Sequence, residues 1–327
     1  MKTLSKALLV TREVIDEQRA GQRIDNFLLR VCKGVPKSHV YRILRSGEVR
    51  ANGKRIDPAY RLLAGDEIRI PPIRVAERDP GSVGVPVGRP FPVVYEDEAL
   101  IALDKPAGTA VHGGSGVSFG VIEQLRRQRP QARFLELAHR LDRETSGLLL
   151  IAKKRAALTA LHDMFRDGSM RKTYLALVRG RWLNPLQHVR LPLTKYLTDE
   201  GERRVSVDRQ GKPAHSVIRL LCRWESFSLV EVGLRTGRTH QIRVHSAHLG
   251  FPLAGDDKYG DFGLNRDLAK AGLKRMFLHA ARLELAHPLS HVPLVLSAPL
   301  PGELKRFLVR LASNERADFE ASNVASI

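Results

Sequence analysis

Only two cysteines occur in 327 residues, Cys32 and Cys222, and they stand far apart. That usage offers neither a disulfide framework nor a CxxC zinc pair, and points to a reducing, cytoplasmic setting. Long apolar runs are missing as well. A spanning helix needs ~18 apolar residues or more, and "GLLLIA", 147–152, is among the longest stretches here. The N-terminal "MKTLSKALLVTREV" has a basic start but only four apolar residues in a row, too short for a signal-peptide core. No GxxxxGKS/T, no HExxH and no GxGxxG between strand and helix occurs, so the nucleotide, zincin and dinucleotide classes lack support. "HGGSG", 112–116, has no following Lys-Ser/Thr and reads as a flexible loop near a site.

Acidic residues are the last shortage. There are 35 Asp+Glu against 54 Lys+Arg, a net charge of +19 and a pI near 10.4. Such an excess calls for a polyanionic partner, nucleic acid in preference to a membrane. Hydrophobic content of 43% and charged content of 27% are ordinary for a globular chain, and the length allows two domains.

Residues 20–75 read as the core of a first domain, 1–80. Ile24, Phe27, Leu28 and Val31 recur at helical spacing. A second helix follows Pro36, with Ser38 as N-cap and Val40, Ile43 and Leu44 as its apolar face. Asn52-Gly53 then marks a hairpin. Residues 1–80 carry 17 Lys/Arg against 10 Asp/Glu, and Lys37, Arg42, Arg45, Arg50, Lys54 and Arg55 crowd the helix and hairpin. Same-sign clustering of that kind suits a phosphate surface. The stretch resembles the S4 RNA-binding domain in Arg23-Ile24-Asp25, the basic helix and the hairpin.

Residues 76–92 are rich in Pro and Gly and lack periodicity, which places a linker at 81–92 before a large domain at 93–312. Two strands are expected within 93–105, helices near 117–129 and 155–167, and strands at 148–153, 173–179, 216–221, 227–234 and 292–297. Strands and helices in no strict alternation argue for an α+β domain. Residues 313–327 lack an apolar face and are expected to form a flexible tail.

Chemistry concentrates in "AHRLDRETSGLLLIAKK", 138–154. Asp142 stands between Arg140 and Arg143 at the mouth of a buried strand. Enclosure pushes a carboxylate's pKa up and a close cation pulls it down, so a buried nucleophilic Asp needs an arginine and hydrogen bonds. A surface ion pair remains the plainer reading of those neighbours. Tyr174 lies on a strand buried on both faces, so its hydroxyl needs a partner or a cleft. Arg243, in "TGRTHQIRVH", sits at a turn-to-helix transition. His240 and His245 would fall on opposite faces of a strand and have no acidic or cysteine neighbour at ligand spacing, so no metal site is expected.

These stretches resemble the RluA family of pseudouridine synthases. "LDKPAG", "HRLDRETSGLLLIAKK", "KTYLALVRG", "TGRTHQIRVH", "GDDKYG" and "LHAARLELAHP" match its blocks in order, over nearly the whole chain. The resemblance implies a small S4 domain followed by the pseudouridine synthase fold, a mixed, mainly antiparallel sheet with a central basic cleft. It implies uridine-to-pseudouridine isomerisation in 23S rRNA without a cofactor; the chain is expected to act as a cytoplasmic monomer on free rRNA or a large-subunit assembly intermediate, with no metal. Asp142 matches the nucleophile and Arg243 the basic partner of that carboxylate. Tyr174 matches the tyrosine packed on the target base, and Arg140 the arginine that fills the gap when the base flips. The S4 likeness assigns RNA binding to Lys37, Arg42, Arg45, Arg50 and Lys54. The segment 261–275, with Arg266, Lys270, Lys274 and Arg275, is either an RNA-gripping insertion or a solvated helix-loop. Two other classes carry an S4 domain: a non-catalytic ribosome-assembly protein and an rRNA methyltransferase. The second would need a Gly-rich loop after a strand, which is missing.

Overall fold

A computed structural model of the chain describes residues 10–17, 19–32, 35–73, 90–113 and 119–320. Two compact units divide it, Met1–Pro86 and Val87–Ile327.

The first unit is built from β1 (Thr11–Val14), α1 (Ile24–Val31), α2 (Lys37–Arg45), β2 (Arg50–Ala51), β3 (Lys54–Arg55) and β4 (Glu67–Ile70). Its four strands pair antiparallel in the order β1-β4-β2-β3. Ile24, Phe27 and Leu28 of α1 meet Val40, Ile43 and Leu44 of α2 in the core, as their spacing predicts. Val31, expected on the same face, is exposed at the end of α1. Ser38 does not cap α2. Pro36 holds that place at φ −59, because its ring already has the helical φ, and Ser38 falls inside the helix. Asp25 of the Arg-Ile-Asp motif is a structural acid: it accepts from Arg23 at 2.7 Å and from the Tyr41 hydroxyl at 2.9 Å, joining α1 to α2. Asn52 (φ 50) and Gly53 (φ 76) make the left-handed pair that a two-residue hairpin requires.

The second unit runs β5 (Val93–Glu96), β6 (Leu100–Lys105), α3 (Val121–Gln128), β7 (Glu136–Leu137), β8 (Ser146–Ala152), α4 (Arg155–Asp167) and β9 (Arg171–Arg179). It continues with β10 (Leu186–Val189), β11 (Leu193–Leu197), β12 (Arg203–Val207), β13 (Ser216–Arg223), β14 (Phe227–Leu234), α5 (Gln241–His248) and α6 (Phe262–Lys270). Then come β15 (Leu278–Ala286), β16 (Pro293–Ser297), α7 (Gly302–Asn314) and β17 (Phe319–Glu320). The main sheet has the order β10-β13-β14-β9-β15-β8-β6-β5, with β16, β17 and β7 added at β15, β13 and β8. Every pairing is antiparallel except β15 with β8, where His279 and Ala280 face Ser146 and Gly147. β8 is buried along its whole length, and this is the reason it reads as a continuous apolar run. Gly147 has φ +106, and a Cβ there would lie 2.2 Å from the Ala280 carbonyl oxygen, so only glycine lets the two strands meet.

Two expectations need correction. The tail expected from 313 is held as far as 320. Asp318 pairs with Arg223 at 2.6 Å and also with Arg181, Arg223 lies over the Phe319 ring, and β17 adds to β13. Single polar anchors and one aromatic do this, without the apolar periodicity that would reveal them in sequence; 321–327 lie outside the described residues. His240 and His245 are not on a strand, since α5 begins at Gln241. Most of the linker (81–89) and of the "HGGSG" loop (114–116) also lies outside the described residues.

Candidate active site

Asp142 sits in the loop between β7 and β8, in a turn closed by the Thr145 N–H donating to the Asp142 carbonyl at 3.1 Å. The loop is held from beneath by two cations. Lys105, fully buried at the end of β6, donates to the carbonyls of Pro106, Thr109 and Arg143 at 2.8, 2.9 and 3.1 Å. Burial, with the nearby Arg275 charge, lowers its pKa to about 7. Arg275 donates to the Glu144 carbonyl at 3.3 Å, to Ser146 Oγ at 2.8 Å and to Glu303 at 3.2 Å. Arg275 is therefore a brace for the Asp142 loop and not an RNA grip. Arg266, Lys270 and Lys274 of the same segment are exposed. His139 serves the loop as an acceptor, its Nε2 taking the Leu150 N–H at 3.0 Å. Its burial lowers the pKa to about 4, which keeps that lone pair available.

Arg243 is the third residue of α5. Gln241 and His245 fix that helix: Gln241 donates to Ser216 Oγ at 2.9 Å, and His245 lies 3.0 Å from the same oxygen and 2.9 Å from the Leu191 carbonyl. From this position Arg243 gives Asp256 a two-pronged pair, at 2.7 and 2.6 Å, and reaches Asp257 at 3.3 Å. Its remaining prong faces Asp142 Oδ2 at 3.5 Å. Burial works against the arginine's charge, but the hydrogen bonds and charge of Asp256, then the charge of Asp142, outweigh it and raise its pKa. Asp256, also buried, is in turn held below its ordinary pKa by Arg243 and by the N–H groups of Lys258 and Tyr259.

Tyr174 of β9 and Arg140 line the same cavity as Asp142 and Arg243. Burial, then the Asp142 charge, push the tyrosine's pKa up, so its hydroxyl stays protonated. Neither that hydroxyl nor the exposed Arg140 side chain has a hydrogen-bonding partner among the described residues. Four residues spread over a hundred positions thus converge. Asp256, His240 and Tyr259 do not stand out as site residues in the sequence. The "GDDKYG" block is the only signal for the two later ones, and His240 by itself invites only the question of metal ligation.

Lys37, Arg42, Arg45, Arg50 and Lys54 are exposed in the first unit. Arg55 donates to the Arg45 carbonyl, so the hairpin cations and the end of α2 are neighbours. Arg50 is partly engaged by the Gly47 and Gly53 carbonyls, whereas Lys37 and Lys54 have no partner among the described residues.

An acid, an arginine and a tyrosine meet around one cavity on the mixed sheet of the second unit, an arrangement that fits the pseudouridine synthases the sequence resembles. The comparisons agree. Residues 99–248 match the RNA pseudouridylate synthase family and 22–68 match the S4 domain. The chain is 52% identical over 95% of its length, and 99% of the other's, to the ribosomal large subunit pseudouridine synthase C of Escherichia coli (strain K12). It is 49% identical over 93% of its length, and 94% of the other's, to the protein of that name from Pasteurella multocida. Among solved structures, human RNA pseudouridylate synthase domain containing 1 matches with a TM-score of 0.59 and 26% identity, over 76% of this chain and 95% of that one. The chain belongs to the RNA pseudouridylate synthase family.

Proposed function

We propose that the chain isomerises particular uridines of 23S rRNA, the large-subunit RNA, to pseudouridine, with Asp142 as nucleophile. The supporting observation is the geometry around Asp142, a partly open carboxylate whose one oxygen faces an arginine anchored by a second acid. In the reaction the C1′–N1 bond breaks, the uracil turns, and a C1′–C5 bond forms. The C5 proton is lost and N1 gains one, so atoms balance without a cofactor. Asp142 attacks at C6 of the uracil or C1′ of the ribose. Arg243 pairs with its Oδ2, and Tyr174 packs on the target base. Arg140 fills the helix gap; flipping a base costs a few kcal/mol, which such filling and stacking offset. Lys37, Arg42, Arg45, Arg50 and Lys54 bind phosphates, and the protein acts as a cytoplasmic monomer on rRNA or its assembly intermediate. Among the described residues no helix is long and apolar enough to cross a membrane.

The test is tritium release from RNA labelled at uracil C5. Wild-type protein releases it; Asp142→Asn binds the RNA and does not. Equal release by both would remove Asp142 from the mechanism. A non-catalytic assembly protein would release none in either form.

A further inference from the structure

Asp142 has two carboxylate oxygens, and a different group stands beside each. Oδ2 faces Arg243 Nη1 at 3.5 Å, and Oδ1 faces His240 Nε2 at 3.8 Å. His240 precedes α5 in a left-handed conformation, φ 53 and ψ 22. Histidine visits this region more readily than most residues, and here the turn leads into α5 with the ring beside Asp142.

Hydrogen-bond accounting sets the state of its ring. The Val205 N–H donates to the Tyr259 hydroxyl oxygen at 2.9 Å, and His240 Nδ1 lies 2.8 Å from that oxygen. The Tyr259 O–H has no other acceptor among the described residues, so it donates to Nδ1. Nδ1 is then the acceptor, and a neutral ring carries its single proton on Nε2, the nitrogen that faces Asp142. Burial keeps the ring neutral, lowering its pKa against the pull of Asp142. The Arg243 guanidinium, 5.1 Å from the Tyr259 ring centroid, packs on the same tyrosine.

We propose that His240 is a positioning residue for the reaction: as the Nε2–H tautomer set by Tyr259, it orients Oδ1 of Asp142 while Arg243 orients Oδ2. The inference rests on Asp142 being the nucleophile. Both distances exceed a good hydrogen bond and shorten when the target uridine fills the cavity. Val205 belongs to β12, so the β11–β12 hairpin reaches the carboxylate through Tyr259 and His240.

Two measurements test this on the full chain. Nitrogen-15 NMR of histidine-labelled protein, with the His240 signals assigned by their disappearance in His240→Gln, is expected to show the Nε2–H tautomer. Tyr259→Phe is expected to show a mixture. An Nδ1–H ring in the wild type would overturn the proposal. In the tritium assay, His240→Ala is expected to lower kcat about 10- to 100-fold, the size of one hydrogen bond to a charged group, with KM for the RNA unchanged. His240→Gln, whose amide N–H reaches the same place, restores most of the rate. Wild-type kcat in His240→Ala, or a His240→Gln as slow as the alanine variant, would also overturn it. Release by Asp142→Asn would instead dismiss the nucleophile assignment, which the tautomer measurement does not touch.

Discussion

Two aspartate loops converge on the Arg243 guanidinium, one before β8 and one after α5, and they treat their acids in opposite ways. Asp256 is fully buried, takes two prongs of the arginine at 2.7 and 2.6 Å, and accepts the N–H groups of Lys258 and Tyr259 at 2.8 and 3.1 Å. Asp142 has a side chain 19% exposed, and its nearest cationic partner is 3.5 Å away. A carboxylate that accepts four hydrogen bonds holds an arginine in place. One whose lone pairs are barely engaged has room for another partner. The arginine is fixed by the first acid and so can serve the second without being pulled onto it.

Exchanging the amide for each acid should separate the two roles. Asp142→Asn is expected to cut tritium release by about 10⁴-fold or more, as removal of a nucleophile does, while urea denaturation shows a change within about 0.5 kcal/mol. Asp256→Asn is expected to unfold about 3–5 kcal/mol more easily, because the buried arginine is deprived of its charged partner. Its acid limb should flatten too. The Asp256 pKa lies below its unfolded value, so its stabilisation is complete above the unfolded carboxylate pKa and is lost as pH falls through the folded one. Superimposable acid limbs for wild type and Asp256→Asn would end the contrast drawn between the two acids.

Smaller effects belong to residues outside that pair. Arg140→Ala should slow release about 10-fold or more on a paired target, the order expected when part of a few kcal/mol of flipping cost is no longer offset. It should shed most of that defect on an RNA whose target uridine is already unpaired; a defect of equal size on both RNAs would argue against gap filling. Replacing Lys37 and Lys54 by alanine should leave kcat on a short stem-loop unchanged. The salt dependence of rRNA binding should become shallower by ~0.7–0.9 for each phosphate that is no longer neutralised. An unchanged slope would remove those lysines from the RNA surface.

Much of the large domain is legible in the sequence. The apolar run 148–152 announces a buried strand, and Leu158 and Leu161 of α4 are buried where the helix 155–167 is expected. Asp142 at the strand's mouth draws the eye through its arginine neighbours, yet neither is its partner. Arg140 is exposed, and Arg143 donates to the Gly108 carbonyl at 3.0 Å. β15, at the centre of the sheet, shows in the sequence only as a block of resemblance. Its bulge between Ala280 and Arg282 breaks the period-two pattern that marks a strand. Asp256 is hidden for another reason: an acid in a "GDDKYG" loop resembles any turn residue until something buries it.

Composition, hydrophobic period and the order of short motifs were enough to establish a basic two-part α+β protein, its family and the acid to watch. These are properties of neighbours along the chain, where burial and turn chemistry leave a local trace. The partnerships within the site were settled by packing. Gly147 admits the Ala280 backbone, Asp256 claims Arg243, and Tyr259 stands against the His240 ring. A hydrogen bond between residues a hundred positions apart has no period and no composition. It exists only once the sheet has brought its ends together.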